Sequence, residues 1–222
     1  MMKNLRDNEN VVVLGVFLGV TALISALVLA LVSQLTAKPI AEMQMRTMKE
    51  SLKQLDLPDF DNAPDKEALA CKTPAGWPAA LMPVRQKGKI AAFVVKTASP
   101  AGYGGPVEIM AGFTPAGKIL AVLVTSQHET PGLGSNVCER KFRKTIFNFF
   151  KPTPPGLPPN PILDQFTGKT VPAGADWKVK RDGGAFDFQT GATITSRAVL
   201  NAVSEAGRTL AAHKADFQKG GK

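Results

Sequence analysis

Positions 11–37 carry no charge, and their core, Val11-Val12-Val13-Leu14 onward, is almost wholly apolar. About twenty such residues cross a bilayer as a helix, so this run predicts a membrane-spanning segment with room to tilt. A secretory signal would have a shorter apolar region ending in small residues of the A-x-A kind, and Leu35-Thr36-Ala37 does not fit that form. The pattern therefore predicts an uncleaved anchor. Gly15, Gly19, Ala22, Ala26 and Ala30 fall near one face of it, and Gly15 with Gly19 forms a G-x-x-x-G. Small residues on one stripe let another helix approach closely, although Gly and Ala are common in membrane helices in any case.

The periodicity then changes. After Pro39, residues 40–55 place Ile40, Met43 or Met45, Met48, Leu52 and Leu55 at helical spacing, which predicts an amphipathic stalk whose stripe packs on the following domain. Residues 56–83 are rich in Pro, Asp and Ala and show no period; Trp77 is expected as a packing anchor there. Residues 89–96, 107–114 and 118–125 read as strands, the last two joined by a Pro115-Ala116-Gly117 hairpin. Because 119–124 is apolar throughout, that strand is expected to be central. Residues 137–150 read as a helix with Phe142, Ile146, Phe149 and Phe150 inward and Arg140, Lys141, Arg143 and Lys144 on a solvated face. Six prolines between 151 and 161 predict a stiff surface excursion, and 177–180 an edge strand. A closing helix over 197–212 carries Val199, Ala202, Val203, Ala206 and Leu210 as its core stripe. The organisation expected is an anchor at 1–37, a stalk and irregular linker at 38–88, and one α+β domain at 89–222.

Charge narrows the partners. The net charge of +9 lies wholly after the first ten residues, where Lys3 and Arg6 cancel Asp7 and Glu9. A basic domain can meet anionic lipid or an acidic protein. No basic stripe interleaved with aromatics appears, which argues against nucleic acid. Lys38, Arg46, Lys49 and Lys53 outnumber Lys3 and Arg6, a bias toward a cytoplasmic domain; large following domains are translocated largely regardless of charge, so the residues leave the side open.

Cys71 and Cys138 stand apart, with no C-x-x-C, and His128 and His213 are the only histidines, so no metal site is expected. There is no G-x-S-x-G, no P-loop and no Ser-His-Asp order, and no catalytic residue is assigned. Three motifs remain. Gly102-Tyr103-Gly104-Gly105-Pro106 is a loop that permits close backbone approach. His128-Glu129-Thr130-Pro131-Gly132-Leu133-Gly134 follows a strand, where backbone amides often hold ligands. Asp187-Phe188-Gln189-Thr190-Gly191-Ala192-Thr193-Ile194-Thr195-Ser196 crowds hydroxyls before a helix. Taken alone, that turn is either a generous N-cap or a phosphate site.

In this order the three motifs resemble the FMN-binding domain shared by the G subunit of the Rnf electron-transport complex and the C subunit of the sodium-pumping NADH:quinone reductase. The likeness spans roughly 89–212, and the length suits the Rnf protein better. Thr190 stands where Ser is common, and the proline-rich segment looks like an insertion. The resemblance implies a mostly antiparallel sheet flanked by helices, and FMN joined through its phosphate to the hydroxyl of Thr193 by a flavin transferase. It implies that Asp187, Thr190, Gly191, Ala192, Thr195 and Ser196 surround the attachment point, and that Tyr103, Glu129, Thr130, Leu133 and Gly134 lie along the flavin. It further implies a redox relay in an ion-translocating complex of the bacterial inner membrane, with the FMN domain on the periplasmic side and Gly15 and Gly19 packing against partner helices. Rival readings are a C-like component of a quinone reductase, and a flavin-free anchored scaffold or lipid-binding module.

Overall fold

The computed structural model describes residues 3–55, 57–142, 156–172 and 177–219. They fall into two compact units, Met1–Thr47 and Met48–Lys222.

The first unit is helical, part of α1 (Lys3–Gln54). Its large apolar side chains stand open, Val32 at 50% and Leu35 at 76% exposure, which suits lipid and not water. Three hydroxyls inside the run are satisfied by carbonyls of the same helix: Thr21 donates to the Phe17 carbonyl at 3.0 Å, Ser25 to Thr21 at 2.8 Å and Thr36 to Val32 at 2.8 Å. This is a helix long and apolar enough to cross a membrane. Pro39 lies within it, and Gly15 and Gly19 are exposed.

The second unit is an antiparallel sheet in the order β1 (Leu69–Lys72), β2 (Pro78–Gln86), β3 (Lys89–Ser99), β4 (Val107–Phe113), β5 (Ile119–Ser126). Period-two alternation sends successive side chains to opposite faces. Phe93, Val95, Ile109, Ala111 and Phe113 pack beneath the long closing helix α4 (Thr193–Lys219), against Ala198, Val199, Ala202, Val203, Ala206 and Leu210. Ala92, Val94, Met82, Val84 and Met110 face the other way and are covered by Leu52, Leu55, Met48 and Leu57. The stripe of the stalk thus packs at its Met48–Leu55 end, while Ile40, Met43 and Met45 remain exposed.

Several expectations change. The apolar strand β5 is not central but lies at the end of the sheet. It reads as central because both its faces are buried, and its outer edge is satisfied from elsewhere. Ile119 exchanges bonds with Lys169 and Gly168 at 2.9 and 2.7 Å, and the Arg140 Nε donates to the Val122 carbonyl at 3.0 Å. Arg140 is accordingly not on a solvated face. Its side chain is 4% exposed and pairs with Asp164 at 2.6 Å. Of the helix expected over 137–150, the described residues show α2 (Gly134–Cys138) followed by extended backbone at Glu139; the rest of that expectation, from residue 143, lies outside the described set, as does 151–155 of the proline-rich segment. A further short helix, α3 (Pro161–Asp164), follows, with Asn160 capping the Ile162 and Leu163 amides. The stretch left irregular at 56–83 contributes β1 and part of β2, whose small residues conceal the period. Residues 177–180 make only an isolated bridge from Val179 to Phe186 before a 3-10 turn, Lys180–Asp182.

Candidate functional site

Antiparallel pairing brings two loops to one end of the sheet. Ser99 at the end of β3 faces Val107 at the start of β4, and Ser126 at the end of β5 faces Glu108. Loops 100–106 and 127–133 therefore leave side by side. They touch so closely that a Cβ on Gly104 would sit 1.8 Å from the His128 carbonyl oxygen, a contact only glycine allows. The Gly104 N–H donates to Glu129 Oε1 at 3.3 Å, and Thr195 Oγ1 donates to Glu129 Oε2 at 2.6 Å. Glu129 is 5% exposed. One buried carboxylate thus ties both loops to the start of α4.

The turn before α4 works through Gly191, whose φ of +81° lies in the left-handed region that a side chain would strain. The first helical bond runs from the Ser196 N–H to the Ala192 carbonyl at 3.0 Å. The amides of Thr193, Ile194 and Thr195 consequently have no intrahelical acceptor, and they carry the positive end of the helix dipole. The helix begins four residues earlier than its apolar stripe suggests, and this puts Thr193 in the first turn.

A rigid hairpin presents a cation to that turn. Lys180 donates its N–H to the Phe186 carbonyl at 2.7 Å, and the Asp182 and Gly184 amides both donate to Val179 at 2.8 and 3.0 Å. Trp177 and Phe186, 4.6 Å apart between ring centroids, anchor it on Phe166. From its tip Arg181 Nη1 donates to Thr193 Oγ1 at 3.1 Å. Next to it Asp182 accepts from Arg197 Nε at 2.7 Å and Nη2 at 2.5 Å. Those hydrogen bonds hold the Asp182 carboxyl below its ordinary range and raise the Arg197 guanidinium.

These groups enclose a cavity of about 560 Å³. Tyr103, Glu129, Thr130, Leu133, Gly134, Gly191, Ala192, Thr193 and Thr195 line it, drawn from all three sequence motifs. Arg181, Ile194 and Arg197 join them; sequence reasoning passed over these three. The signal for Arg181 was a basic run before Gly183-Gly184, which looks like any solvated turn. Three expected residues lie off the cavity. Asp187 pairs with Lys180 at 2.5 Å, Ser196 Oγ donates to the Ala192 carbonyl at 2.9 Å and accepts from the Gln189 N–H at 3.2 Å, and Thr190 is exposed. A second cavity, of about 600 Å³, shares Arg197 and is lined by Trp77, Trp177 and Glu205. There Glu205 is already engaged by the Ala75 N–H and by Arg208, both at 2.8 Å.

The first cavity has the character of a cofactor site. Its size lies within the range for such sites. Among described residues, the large apolar side chains exposed in the second unit are Phe60, Tyr103, Leu133 and Ile194, and the last three line this cavity. An apolar rim next to a hydroxyl, open helix amides and guanidiniums fits a flat aromatic molecule bearing a phosphate. Cys71 and Cys138 are free thiols, and among described residues no cluster could hold a metal.

Comparison with known proteins agrees with this geometry. The profile of the FMN-binding domain matches residues 102–207, and that of the RnfG N-terminal region matches residues 1–55. Proteins named as the G subunit of the ion-translocating oxidoreductase complex are similar along much of the chain. The one from Photorhabdus laumondii is 36% identical over 76% of this chain and 75% of its own length. That of Pseudomonas aeruginosa is 33% identical over 82% and 79%. In Salmonella typhi the match is 40% over 55% and 52%.

Proposed function

The chain belongs to the RnfG family, the G subunits of ion-translocating oxidoreductase complexes, and contains an FMN-binding domain; from that premise we propose that it is a membrane-anchored electron relay whose FMN is esterified through phosphate to Thr193. The observation that carries this reading is the position of Thr193. Its hydroxyl lies in the wall of the cavity rimmed by Tyr103, Leu133 and Ile194, at a helix start and within 3.1 Å of a guanidinium. A phosphodiester keeps about one negative charge, and the first-turn amides of α4 and Arg181 favour it there.

When bound, the flavin supplies the redox chemistry. The chain supplies position and surroundings. Leu133 and Ile194 offer apolar surface to a ring system, Tyr103 an aromatic face, and Glu129 holds the two loops at fixed separation. Asp187, outside the cavity, is then a surface feature for the flavin transferase and not a flavin contact. In the complex, the exposed helix of residues 11–37 lies in the bacterial inner membrane and presents Gly15 and Gly19 to neighbouring proteins, with the FMN domain on the periplasmic side.

The test is direct. Full-length chain produced with a flavin transferase should give one fluorescent band on a denaturing gel and an FMN adduct on the peptide holding Thr193. Thr193→Ala should abolish both. An unmodified intact mass for the wild-type chain would end the proposal, whereas fluorescence that survives in Thr193→Ala would move the attachment site.

A further inference from the structure

We infer that Arg181 is the phosphate-positioning residue of this site: it orients the Thr193 oxygen for phosphoryl transfer and afterwards neutralises the diester. The inference rests on Thr193 being the attachment residue.

Four observations support it. First, the 3.1 Å bond is donated by Arg181 Nη1, so Thr193 Oγ1 is the acceptor and its own proton remains free to leave. Second, Arg181 is held by backbone, not by a mobile loop. The 3-10 turn is closed by Gly183 N–H to the Lys180 carbonyl at 3.1 Å, and a Cβ on Gly184 would fall 1.9 Å from the Lys178 carbonyl oxygen. Third, the neighbouring charges are already committed. Asp182 is hydrogen-bonded by both Nε and Nη2 of Arg197, and Lys180 pairs with Asp187; Arg181 adds to the positive field at Asp182, but its hydrogen bond goes to Thr193 Oγ1 and not to a carboxylate. An arginine whose hydrogen bond goes to a hydroxyl in a cavity wall, beside a carboxylate already bound by another guanidinium, is set to receive an anion. Fourth, its planar fork can bind two oxygens of one phosphate, and a lysine cannot match that geometry.

The step balances as a phosphoryl transfer. The donor, by class, is a flavin dinucleotide. Thr193 Oγ bonds to the flavin-side phosphorus, the pyrophosphate P–O bond breaks, and a nucleoside monophosphate departs. The hydroxyl proton passes to the transferring enzyme, and no electrons change hands.

The experiment measures the initial rate of FMN incorporation into the full-length chain, followed by intact mass, with transferase and flavin dinucleotide supplied. Wild type is compared with Arg181→Gln, Arg181→Lys and, as a charge control on the same hairpin, Lys178→Gln. Loss of one charge-assisted hydrogen bond predicts a fall of about 10- to 100-fold for Arg181→Gln. The fall should be in kcat more than KM for the acceptor chain, since the contact serves the transferred phosphate. Arg181→Lys should recover part of the rate, and Lys178→Gln should remain within about twofold of wild type. Melting temperatures of all four should agree, because Arg181 is exposed and makes no core contact. Equal rates for Arg181→Gln and wild type would overturn the inference and leave covalent FMN intact. So would an equal fall in Lys178→Gln, which would make the effect one of general charge. A wild-type chain that takes up no flavin refutes the attachment reading itself.

Discussion

Thr195→Val tests whether the Glu129 brace holds the site together. The change keeps shape and removes one hydroxyl. Thr195 is 1% exposed and Glu129 5%, so water does not readily replace the lost donor. Glu129 Oε2 loses its 2.6 Å partner, while Oε1 keeps only the 3.3 Å bond from Gly104. A hydrogen bond to a charged group contributes roughly 1.5–3 kcal/mol, and a buried acceptor left bare puts this case in the upper part, about 2–3 kcal/mol. For a unit of this size each kcal/mol is worth roughly 2–4 °C, so the expected drop in Tm is about 5–10 °C. Both tryptophans, Trp77 and Trp177, lie in the second unit, so their fluorescence follows its melting without interference from the helical first unit. Completing a cycle with Glu129→Gln should show coupling of about 1 kcal/mol or more. A Thr195→Val protein that melts within about 1 °C of wild type, or additive single substitutions, would refute the reasoning, since margins of that size are what unconnected residues give.

Two further outcomes are expected. Burial, with added repulsion from Glu129 and Glu139, pushes the Cys138 thiol up to about 12, so at pH 8 only about one molecule in ten thousand is thiolate. A maleimide should label Cys138 only after denaturation, and labelling of the native chain at the denatured rate would contradict the burial. The Asp182 carboxyl, held low chiefly by its hydrogen bonds from Arg197, has a folded value below its ordinary 3.8. Its stabilisation is therefore complete above that ordinary value and is lost as pH falls through the lower folded one. A carboxyl NMR titration should place its midpoint below 3.8 in the wild-type chain and return it toward 3.8 in Arg197→Gln.

Local pattern alone determined a good deal of this protein. The uncharged run at 11–37, the strands around Pro115-Ala116-Gly117 and the stripe from Val199 to Leu210 each depend on near neighbours in sequence, where periodicity and turn chemistry act directly. The three motifs were legible for the same reason, and they meet in one cavity because antiparallel pairing places two of them at the same sheet end. Other features were settled only by contacts distant in sequence. The apolar run of β5 says that both faces are covered but not which strand lies beside it; its edge is filled by Arg140 and residues 168–169, a solution no local window shows. Arg140 looked like a surface charge for that reason. Arg181 was hidden likewise, since a basic residue in a glycine-ended turn is ordinary until the hairpin is folded onto the start of α4. Thr193 itself was visible as one hydroxyl among four. Tertiary structure separated them: Ser196 bonds back to the Ala192 carbonyl, Thr195 braces Glu129, Thr190 faces solvent, and Thr193 lies in the cavity wall under a guanidinium. Sequence can supply the hydroxyl and the helix, but the charge that meets them comes from another part of the chain, and only folding brings it within 3.1 Å.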